Sequence, residues 1–275
     1  MTDLFTDPTP NPASDAPDAL ATWRDPNPAP VLDVLPDGTQ VVRDDLLPGG
    51  TKRRALDYLI GHDPTHAHIT DWVYGSSPAH GYAQWALSLV CRDYGKHAHL
   101  FMAARDLSKL HRVQQCGLDA GGRYYWIPNG MLSVTQKRAR DYVAASPTTR
   151  ALLPLGGNVP SALIALTRVA RSLPLADPPE HIWSVLSSGT LSRALQAAYP
   201  NAMVHGVVVG HTPTPDEAGR AHLYRSPYPF ARPVRPADAP PYPSVAEYDA
   251  KLWPCYRAWR ASHPSARVLI WNVGA

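Results

Sequence analysis

At residues 43–54 the chain reads Arg43-Asp44-Asp45-Leu46-Leu47-Pro48-Gly49-Gly50-Thr51-Lys52-Arg53-Arg54. The segment joins a short β-like run, residues 39–43, to a helical pattern over residues 51–60. Its two glycines allow a sharp turn and the close approach of a planar ligand. Lys52 falls in the first helical turn, where the helix dipole disfavours a positive charge and favours a neutral, nucleophilic amine. A solvated basic face made by Lys52, Arg53 and Arg54 explains the same residues, so this segment alone leaves both interpretations open.

Strand-like and helix-like segments alternate along the chain on either side of this turn. The apolar pattern predicts strands at residues 39–43, 67–73, 97–103, 123–127, 151–155, 182–186, 204–209 and 267–271. It predicts helices at residues 51–60, 79–94, 106–115, 132–145, 159–173, 191–198 and 245–261, with Asn158 as an N-cap and a kink or break at Pro254. This alternation is typical of an α/β fold with mostly parallel sheets flanked by helices. In such folds ligands bind where the carboxyl ends of strands lead into helices.

Composition and charge favour a soluble protein. The chain has 275 residues, a net charge of +3 and three well-separated cysteines, Cys91, Cys116 and Cys255, without a CxxC pair. That spacing argues against a disulfide framework and fits a reducing cytoplasm. The N-terminus lacks the features of a secretory signal, and no apolar run approaches the ~20 residues needed to span a bilayer. We expect a cytoplasmic protein without a membrane partner, in the host cytoplasm if the chain is viral.

Prolines mark an N-terminal segment and one long loop. Residues 1–36 are rich in Pro, Asp and Ala, which predicts a tail or a wrapping arm rather than a regular helix or central strand. A second proline-rich segment, residues 226–243, predicts a long loop, and long ordered loops are often functional. The remaining residues, 37–275, are then expected to carry the folded region.

The loop Ser187-Ser188-Gly189-Thr190 is a candidate anion site. It joins an apolar strand to a helix, so backbone N–H groups, hydroxyls and the helix dipole converge there. The loop lacks the lysine of a Walker motif, which argues against nucleoside triphosphates. An ordinary N-capped turn explains the residues equally well.

Other loops carry candidate polar groups. They read Tyr74-Gly75-Ser76-Ser77-Pro78-Ala79-His80-Gly81-Tyr82, Gly156-Gly157-Asn158 and Trp271-Asn272-Val273-Gly274. His80 is a candidate acid or base because imidazole titrates near neutral pH, although helix-start packing explains it equally. Tyr82 is a candidate proton donor or a core aromatic. The His-x-His pairs at residues 66–68 and 97–99 lack a completing Cys or Glu at a familiar spacing, so no metal is expected.

Taken in order, these segments resemble the fold-type II enzymes that use pyridoxal 5'-phosphate (PLP), among them the tryptophan synthase β-chain, cysteine synthase, threonine synthase, D-cysteine desulfhydrase and aminocyclopropane-carboxylate deaminase. Residues 43–52 resemble the family motif R-E-D-x-x-x-G-G-N-K, whose lysine binds PLP as a Schiff base. Residues 77–81 occupy the place of its S-G-N-H/T-G motif, and residues 271–274 that of H-T-G-G. The candidate catalytic residues are Lys52, His80 and Tyr82. The resemblance implies PLP contacts from Lys52, Ser77, Gly156, Gly157, Asn158, Ser187, Ser188, Gly189, Thr190 and Asn272.

The resemblance also implies an architecture: mostly parallel sheets flanked by helices, in two closely associated lobes. Residues 37–275 would form the PLP-binding catalytic region, with a smaller lobe at about residues 67–150 inserted into the larger one. Family habit adds a possible homodimer.

Two departures from the family motifs bear on the reaction. Pro78 and Ala79 stand where the family has Gly and Asn, so the loop that holds a substrate carboxylate loses an N–H donor and a side-chain amide. A carboxylate that is not clamped near the PLP plane can turn perpendicular to it and leave as carbon dioxide. Val273 replaces a threonine that contacts the pyridine nitrogen, and Asn272 is the nearest polar substitute. These departures favour decarboxylation over elimination.

A small, Ala- and Pro-rich chain of this type is also similar to the PLP enzymes of bacteriophage thymidine hypermodification. That similarity implies a lyase that decarboxylates an amino acid attached to thymine in double-stranded DNA, a reaction of DNA modification. DNA would require a basic rim, for which the candidates are Arg53, Arg54, Lys137, Arg138, Arg140, Arg257 and Arg260. Two alternatives stay open: a small-molecule amino-acid deaminase or desulfhydrase of the same fold, and a non-catalytic PLP-fold protein that binds DNA or a protein.

Overall fold

The computed structural model describes residues 21–274, which form two sheets covered by helices. The larger sheet contains, in spatial order, β1 (Leu32–Val34), β2 (Gln40–Arg43), β10 (Val268–Asn272), β7 (His181–Leu186), β8 (Met203–Val208) and β9 (His222–Arg225). The smaller sheet contains β5 (Arg123–Ile127), β4 (His97–Ala103), β3 (Asp71–Ser76) and β6 (Arg150–Leu152). The β1–β2 pair is antiparallel and the other pairs in both sheets are parallel. The first 20 residues of the predicted arm lie outside the described residues.

Helices connect most of the parallel strands. They are α1 (Gly50–Asp57), α2 (Tyr82–Asp93), α3 (Arg112–Asp119), α4 (Leu132–Ala144), α5 (Pro160–Arg171), α6 (Thr190–Ala198), α7 (Pro215–Ala218) and α8 (Leu252–Arg260). No helix within residues 21–274 is long and apolar enough to cross a membrane. The predicted fold class, α/β with mostly parallel sheets flanked by helices, is confirmed.

Some local predictions differ from the structure. Strands β1 and β9 and helix α7 were not predicted, because three or four residues are too few to show a period. Asn158 does not cap α5: Val159 occupies the N-cap position, and the Asn158 carboxamide oxygen instead accepts a hydrogen bond from Arg193. Pro254 does not kink a long helix, because α8 begins at Leu252 and Pro254 lies in its first turn, where an N–H has no helical partner.

Each sheet has its own apolar core. The larger sheet buries Trp183 and Trp271 in a cluster with Tyr256 of α8, and Trp23 from the chain before β1 packs into it. The smaller sheet buries a second cluster against α2 that includes Leu87. Burial of each large apolar side chain contributes about 1.5–3 kcal/mol, so these clusters hold both sheets as fixed platforms for the loops at their edges.

A buried ionic network fixes α1 to the larger sheet. Asp44 is fully buried and accepts hydrogen bonds from the Thr51 hydroxyl at 2.7 Å, the Arg54 Nε at 2.8 Å and the Trp271 indole at 3.2 Å. Arg54 also pairs with Asp25. Breaking one partner of such a buried pair costs roughly 3–5 kcal/mol. The turn that carries Lys52 is therefore held at the ends of β2 and β10.

Histidines and aromatic rings form a layer on the larger sheet. His205 of β8 is buried, stacks on Trp183 at 4.4 Å and lies 3.0 Å from His181 through its Nε2 atom. Burial and the neighbouring histidines, including His181, His222 and His263, lower the pKa of His205 to about 3. His205 is therefore neutral in the folded protein at pH values where an unfolded histidine is protonated.

We expect this histidine to make the protein less stable in mild acid. Because its folded pKa lies below the unfolded value, its contribution is complete above about pH 6.5 and is lost as the pH falls towards the folded pKa. Between pH 7.5 and pH 5 the loss from His205 is about 2 kcal/mol. Urea unfolding at both pH values should show a smaller pH dependence for His205→Gln, and His68→Gln, at an exposed position just before β3 of the smaller sheet, serves as the control. An unchanged pH dependence in His205→Gln would contradict this assignment.

Candidate active site

Lys52 leaves the glycine turn at the start of α1, at the carboxyl ends of β2 and β10. Gly50 has a φ of +61°, and a Cβ there would lie 2.2 Å from the Val273 carbonyl oxygen, so no other residue fits this position. The Thr51 N–H donates to the same carbonyl at 3.2 Å. The close approach of α1 to the end of β10 aims Lys52 into a cleft whose walls include Ser187–Thr190, Tyr248 and Val273.

The Gly156 carbonyl joins three of the segments singled out in the sequence. It accepts hydrogen bonds from the Lys52 amine and, at 3.3 Å, from the Thr190 hydroxyl, which also lies 3.2 Å from the Ser188 hydroxyl. Burial lowers the pKa of Lys52 to about 8. At pH 7 about a tenth of Lys52 is therefore a neutral nucleophile, against less than about 0.1% of an ordinary lysine. The alternative that Lys52 belongs to a solvated basic face does not fit this environment.

Two glycines make this meeting of loops possible. Gly156 has a φ of +71°, and a Cβ there would lie 1.8 Å from the Ser188 hydroxyl oxygen. Gly189 has a φ of +72°, caps α6, and would place a Cβ 1.9 Å from the Glu217 carbonyl oxygen. Thr190 begins α6, so the hydroxyls of Ser188 and Thr190 lie at a helix N-terminus, where an anion is stabilised.

The loop after β3, residues 77–81, is held by hydrogen bonds of its own. The Ser77 hydroxyl donates to the Gly130 carbonyl at 2.7 Å, and the buried Gln84 amide donates to the carbonyls of Ala79 at 2.8 Å and Gly81 at 3.0 Å. The loop is thus held through its carbonyl oxygens, and its one hydroxyl donor already has a partner.

The structure separates the two candidate acids and bases of that loop. The His80 ring lies 5.6 Å from the Phe230 ring and 6.4 Å from the His111 ring, and burial lowers its pKa. Tyr82 is buried against the C-terminal end, where a Cβ on Gly274 would lie 2.6 Å from its ring. His80 therefore faces the proline-rich loop, whereas Tyr82 packs between α2 and the chain end. Their catalytic roles stay predictions.

Two other predicted contact residues have their polar groups engaged. Asn158 accepts from Arg193, and Gly157 is buried beside it with a φ of +63°. The Asn272 amide donates to Asp45 at 2.7 Å and to the Pro243 carbonyl at 2.8 Å, while its oxygen accepts from Ser244. Asn272 thus fastens β10 to its surroundings and has little capacity left for a ligand.

Tyr248 and Asp249 are the residues that the sequence did not indicate. Asp249 is buried, accepts hydrogen bonds from the backbone N–H groups of Val273 and Gly274, and has no hydrogen-bond partner for its Oδ1 atom. Burial and the nearby Asp45 raise its pKa well above the ordinary value. Burying a carboxyl oxygen without a hydrogen-bond partner costs free energy, and a ligand that donates a hydrogen bond to it would remove that cost. No motif marked this pair, which precedes α8 in a segment predicted as part of a longer helix.

Tyr248 lines the same cleft as Lys52 and hydrogen-bonds Ser187. Burial raises its pKa, so its phenol keeps its proton at neutral pH. The cleft therefore contains an amine that loses its proton readily and a phenol that retains one. That combination suits the movement of a proton at a carbon atom close to Lys52.

Only some of the arginines and lysines predicted to form a basic rim for DNA are exposed. Arg54 was wrongly assigned to it, because its side chain is buried and paired with Asp44 and Asp25. Arg53 pairs with Asp93 and Arg260 with Asp37. The exposed candidates are Lys137, which pairs with Asp141, and Arg138, Arg140 and Arg257.

The histidine pairs have local partners of their own. His99 lies between Asp71 at 2.7 Å and the Tyr125 hydroxyl at 3.0 Å, and His66 pairs with Asp63. Among the described residues no group of three His, Cys, Asp or Glu side chains is arranged to hold a metal ion.

Comparison with solved structures identifies the fold. An ACC deaminase homologue superimposes with a TM-score of 0.76 at 14% identity, covering 94% of this chain and 93% of that chain. A fungal L-serine ammonia-lyase from Rhizomucor miehei gives 0.68 at 14% identity, covering 90% and 94%, and a pyridoxal 5'-phosphate-dependent aspartate racemase gives 0.64 at 10%, covering 89% of each chain. No family model and no curated protein sequence matches the chain significantly. The similarities confirm that the chain has the fold of the fold-type II PLP enzymes.

The lowered pKa of Lys52 predicts unusual reactivity. At pH 8 about half of Lys52 is neutral, against about 0.4% of an ordinary lysine, a difference of roughly 100-fold. Trace acetylation across a pH series, read by peptide mass spectrometry, should therefore give a midpoint near pH 8 for Lys52. The exposed Lys137, read in the same digest, is the internal control. A Lys52 midpoint near pH 10 would show that its amine is solvated.

Proposed function

We propose that this chain is a PLP-dependent lyase that acts at the α-carbon of an amino-acid group. One observation carries the proposal: the Lys52 amine and the Thr190 hydroxyl both donate to the Gly156 carbonyl, and the Ser188 hydroxyl lies beside that of Thr190. An amine that PLP can bind covalently thus lies beside hydroxyls that can hold its phosphate. The racemase of the same fold is named as PLP-dependent, which supports the same cofactor here.

The residues present fit the remaining group of PLP. Its pyridine nitrogen is best held by an acidic side chain that stabilises the protonated ring. The unpartnered Oδ1 atom of Asp249 offers such a group close to Val273, which also lines the cleft of Lys52. We therefore assign the ring nitrogen to Asp249 rather than to Asn272, whose amide is already bonded to Asp45. The phosphate would lie in the Ser187–Thr190 loop.

Each side chain of the cleft would have its own role in the reaction. PLP, when bound, supplies a ring that takes up the electron pair released at the substrate α-carbon. Tyr248, as a protonated phenol beside Ser187, would return a proton to that carbon. Lys52, His80 and Tyr82 remain the residues predicted to hold or move protons. The aromatic side chains around it would limit the access of water.

Within this class we favour decarboxylation, because the loop after β3 offers few donors for a substrate carboxylate. Pro78 has no N–H, Ala79 has no side-chain amide, and the Ser77 hydroxyl donates to Gly130. In the reaction the Cα–carboxylate bond breaks, its electron pair stays at Cα, carbon dioxide leaves and a proton is added. Our specific proposal is an amino acid carried on thymine in bacteriophage DNA, for which Arg138, Arg140 and Arg257 are the exposed basic residues. Its duplex would have to release the modified base.

Deamination or desulfhydration of a small amino acid is the second candidate. It is favoured by the similar folds of an ACC deaminase homologue and an L-serine ammonia-lyase. The two candidates differ in their products: decarboxylation releases carbon dioxide and leaves an amine, whereas deamination releases ammonia. A homodimer and a cytoplasmic location remain part of the proposal.

Covalent attachment tests the cofactor. Protein incubated with PLP and reduced with borohydride should carry about one PLP per chain on the peptide that contains Lys52. Lys52→Ala should be colourless and unlabelled, because no other lysine among residues 21–274 lines the cleft, while Lys137→Ala should label like the wild type. If no PLP binds, or if another lysine carries it, the chain is not an enzyme of the proposed kind and the non-catalytic alternative gains support.

Restoring the family residues tests the reaction type. The double variant Pro78→Gly with Ala79→Asn should bind a substrate carboxylate more firmly in the PLP plane. One added hydrogen bond to a charged group is worth about 1.5–3 kcal/mol, so carbon dioxide release should fall roughly 10- to 100-fold. Carbon dioxide and ammonia should be measured with modified DNA and with free D- and L-amino acids. Unchanged products and rates would show that this loop does not set the reaction.

A further inference from the structure

A second cavity lies beside the candidate active site, at the carboxyl ends of β8 and β9. It has a volume of about 210 Å³, and we name it the Arg225 pocket; its walls include Gly210, Thr212, Arg225, Ser226, Tyr228 and Phe230. A Cβ on Gly210 would lie 3.5 Å from the Ser187 hydroxyl oxygen, so the pocket adjoins the proposed phosphate loop. Pockets for complete ligands usually enclose ~300–1,000 Å³, so this one suits a single part of a substrate.

Arg225 supplies a positive charge that no neighbouring acid neutralises. Within residues 21–274 its exposed guanidinium has neither an ion pair nor a hydrogen bond. Two other arginines of this part of the chain are engaged: Arg220 donates to the Ala202 carbonyl at 2.6 Å, and Arg235 pairs with Asp238 at 2.8 Å. A guanidinium of this kind binds phosphate or carboxylate oxygens through two parallel hydrogen bonds.

The aromatic wall of the pocket is held rigid from behind. Phe230 is 39% exposed, and the ammonium of the fully buried Lys251 donates to the carbonyls of Pro229 at 2.8 Å and Phe230 at 2.7 Å. The Tyr228 hydroxyl is fixed by a hydrogen bond to Asp238. A rigid aromatic face accepts a flat ring at a small cost in conformational entropy.

We propose that the Arg225 pocket binds the part of the substrate that does not react, a phosphorylated aromatic group such as a pyrimidine nucleotide. Arg225 binds the phosphate and the ring stacks on Phe230. This inference rests on the proposed function, since it names the substrate class of that site. A free small amino acid has neither group, so the pocket favours an amino acid carried on a nucleotide. The Phe230 ring lies 5.6 Å from the ring of His80, and Gly210 of the pocket lies beside Ser187 of the cleft.

The test uses thymidine 5'-monophosphate, thymidine and inorganic phosphate as probes, with calorimetry on protein that has been saturated with PLP and then freed of unbound PLP. We expect the nucleotide to bind at least about tenfold more tightly than thymidine, since it gains charged hydrogen bonds. Arg225→Ala should remove that difference. Phe230→Ala should weaken nucleotide and nucleoside alike, by roughly fivefold or more, because stacking is lost from both. Arg92→Ala, which removes an exposed arginine from α2, should change neither.

Equal affinities for nucleotide and nucleoside, or an unchanged nucleotide affinity in Arg225→Ala, would overturn the inference. Circular dichroism and PLP content show whether each variant is folded, and Arg225→Lys offers a milder change that should recover part of the affinity. If Lys52 carries PLP but the nucleotide does not bind, the nucleotide pocket is disproved and the proposed lyase is not affected. If the nucleotide series behaves as expected but Lys52 carries no PLP, the proposed lyase fails and the pocket remains a nucleotide site.

Discussion

The carbonyl oxygen of Gly156 is the point on which the site depends, because it accepts hydrogen bonds from Lys52 and Thr190 together. Gly156 follows a strand of the smaller sheet, whereas Lys52 and Thr190 follow strands of the larger one. The carboxyl ends of the two sheets therefore meet at this oxygen. The contact needs a positive φ and no Cβ at position 156. Only glycine meets both requirements.

The position of Lys52 has a second, independent support in the buried carboxylate of Asp44. Asp44 binds Thr51 and Arg54, which flank the lysine on α1, and also the Trp271 indole at the end of β10. These hydrogen bonds fix the position of α1 against the end of β10. Burial alone lowers the pKa of the Lys52 amine. Asp44 and its partners thus hold Lys52 in place. The lowered pKa of Lys52 comes from burial and not from a charged partner.

The sequence predicts the part of the site that depends on local pattern. Glycine turns and small hydroxylated residues after strands identified residues 49–52, 156–157 and 187–190, because the backbone conformations involved leave a mark on composition. Tyr248 and Asp249 left none, since only the return of the chain to the ends of β10 brings them to Lys52. Arg54 shows the converse. Its basic neighbours in sequence suggested an exposed side chain, but it is buried because it pairs with Asp25 and Asp44, which come earlier in the sequence.

A crystal structure of the protein grown with PLP would show whether Lys52 holds the cofactor. We expect continuous density between the Lys52 amine and the cofactor, the phosphate at Ser187–Thr190, and the ring nitrogen within hydrogen-bond distance of Asp249. The Lys52 amine should then no longer donate to the Gly156 carbonyl. PLP bound elsewhere, or a cleft that excludes it under saturating conditions, would contradict the assignment of Lys52.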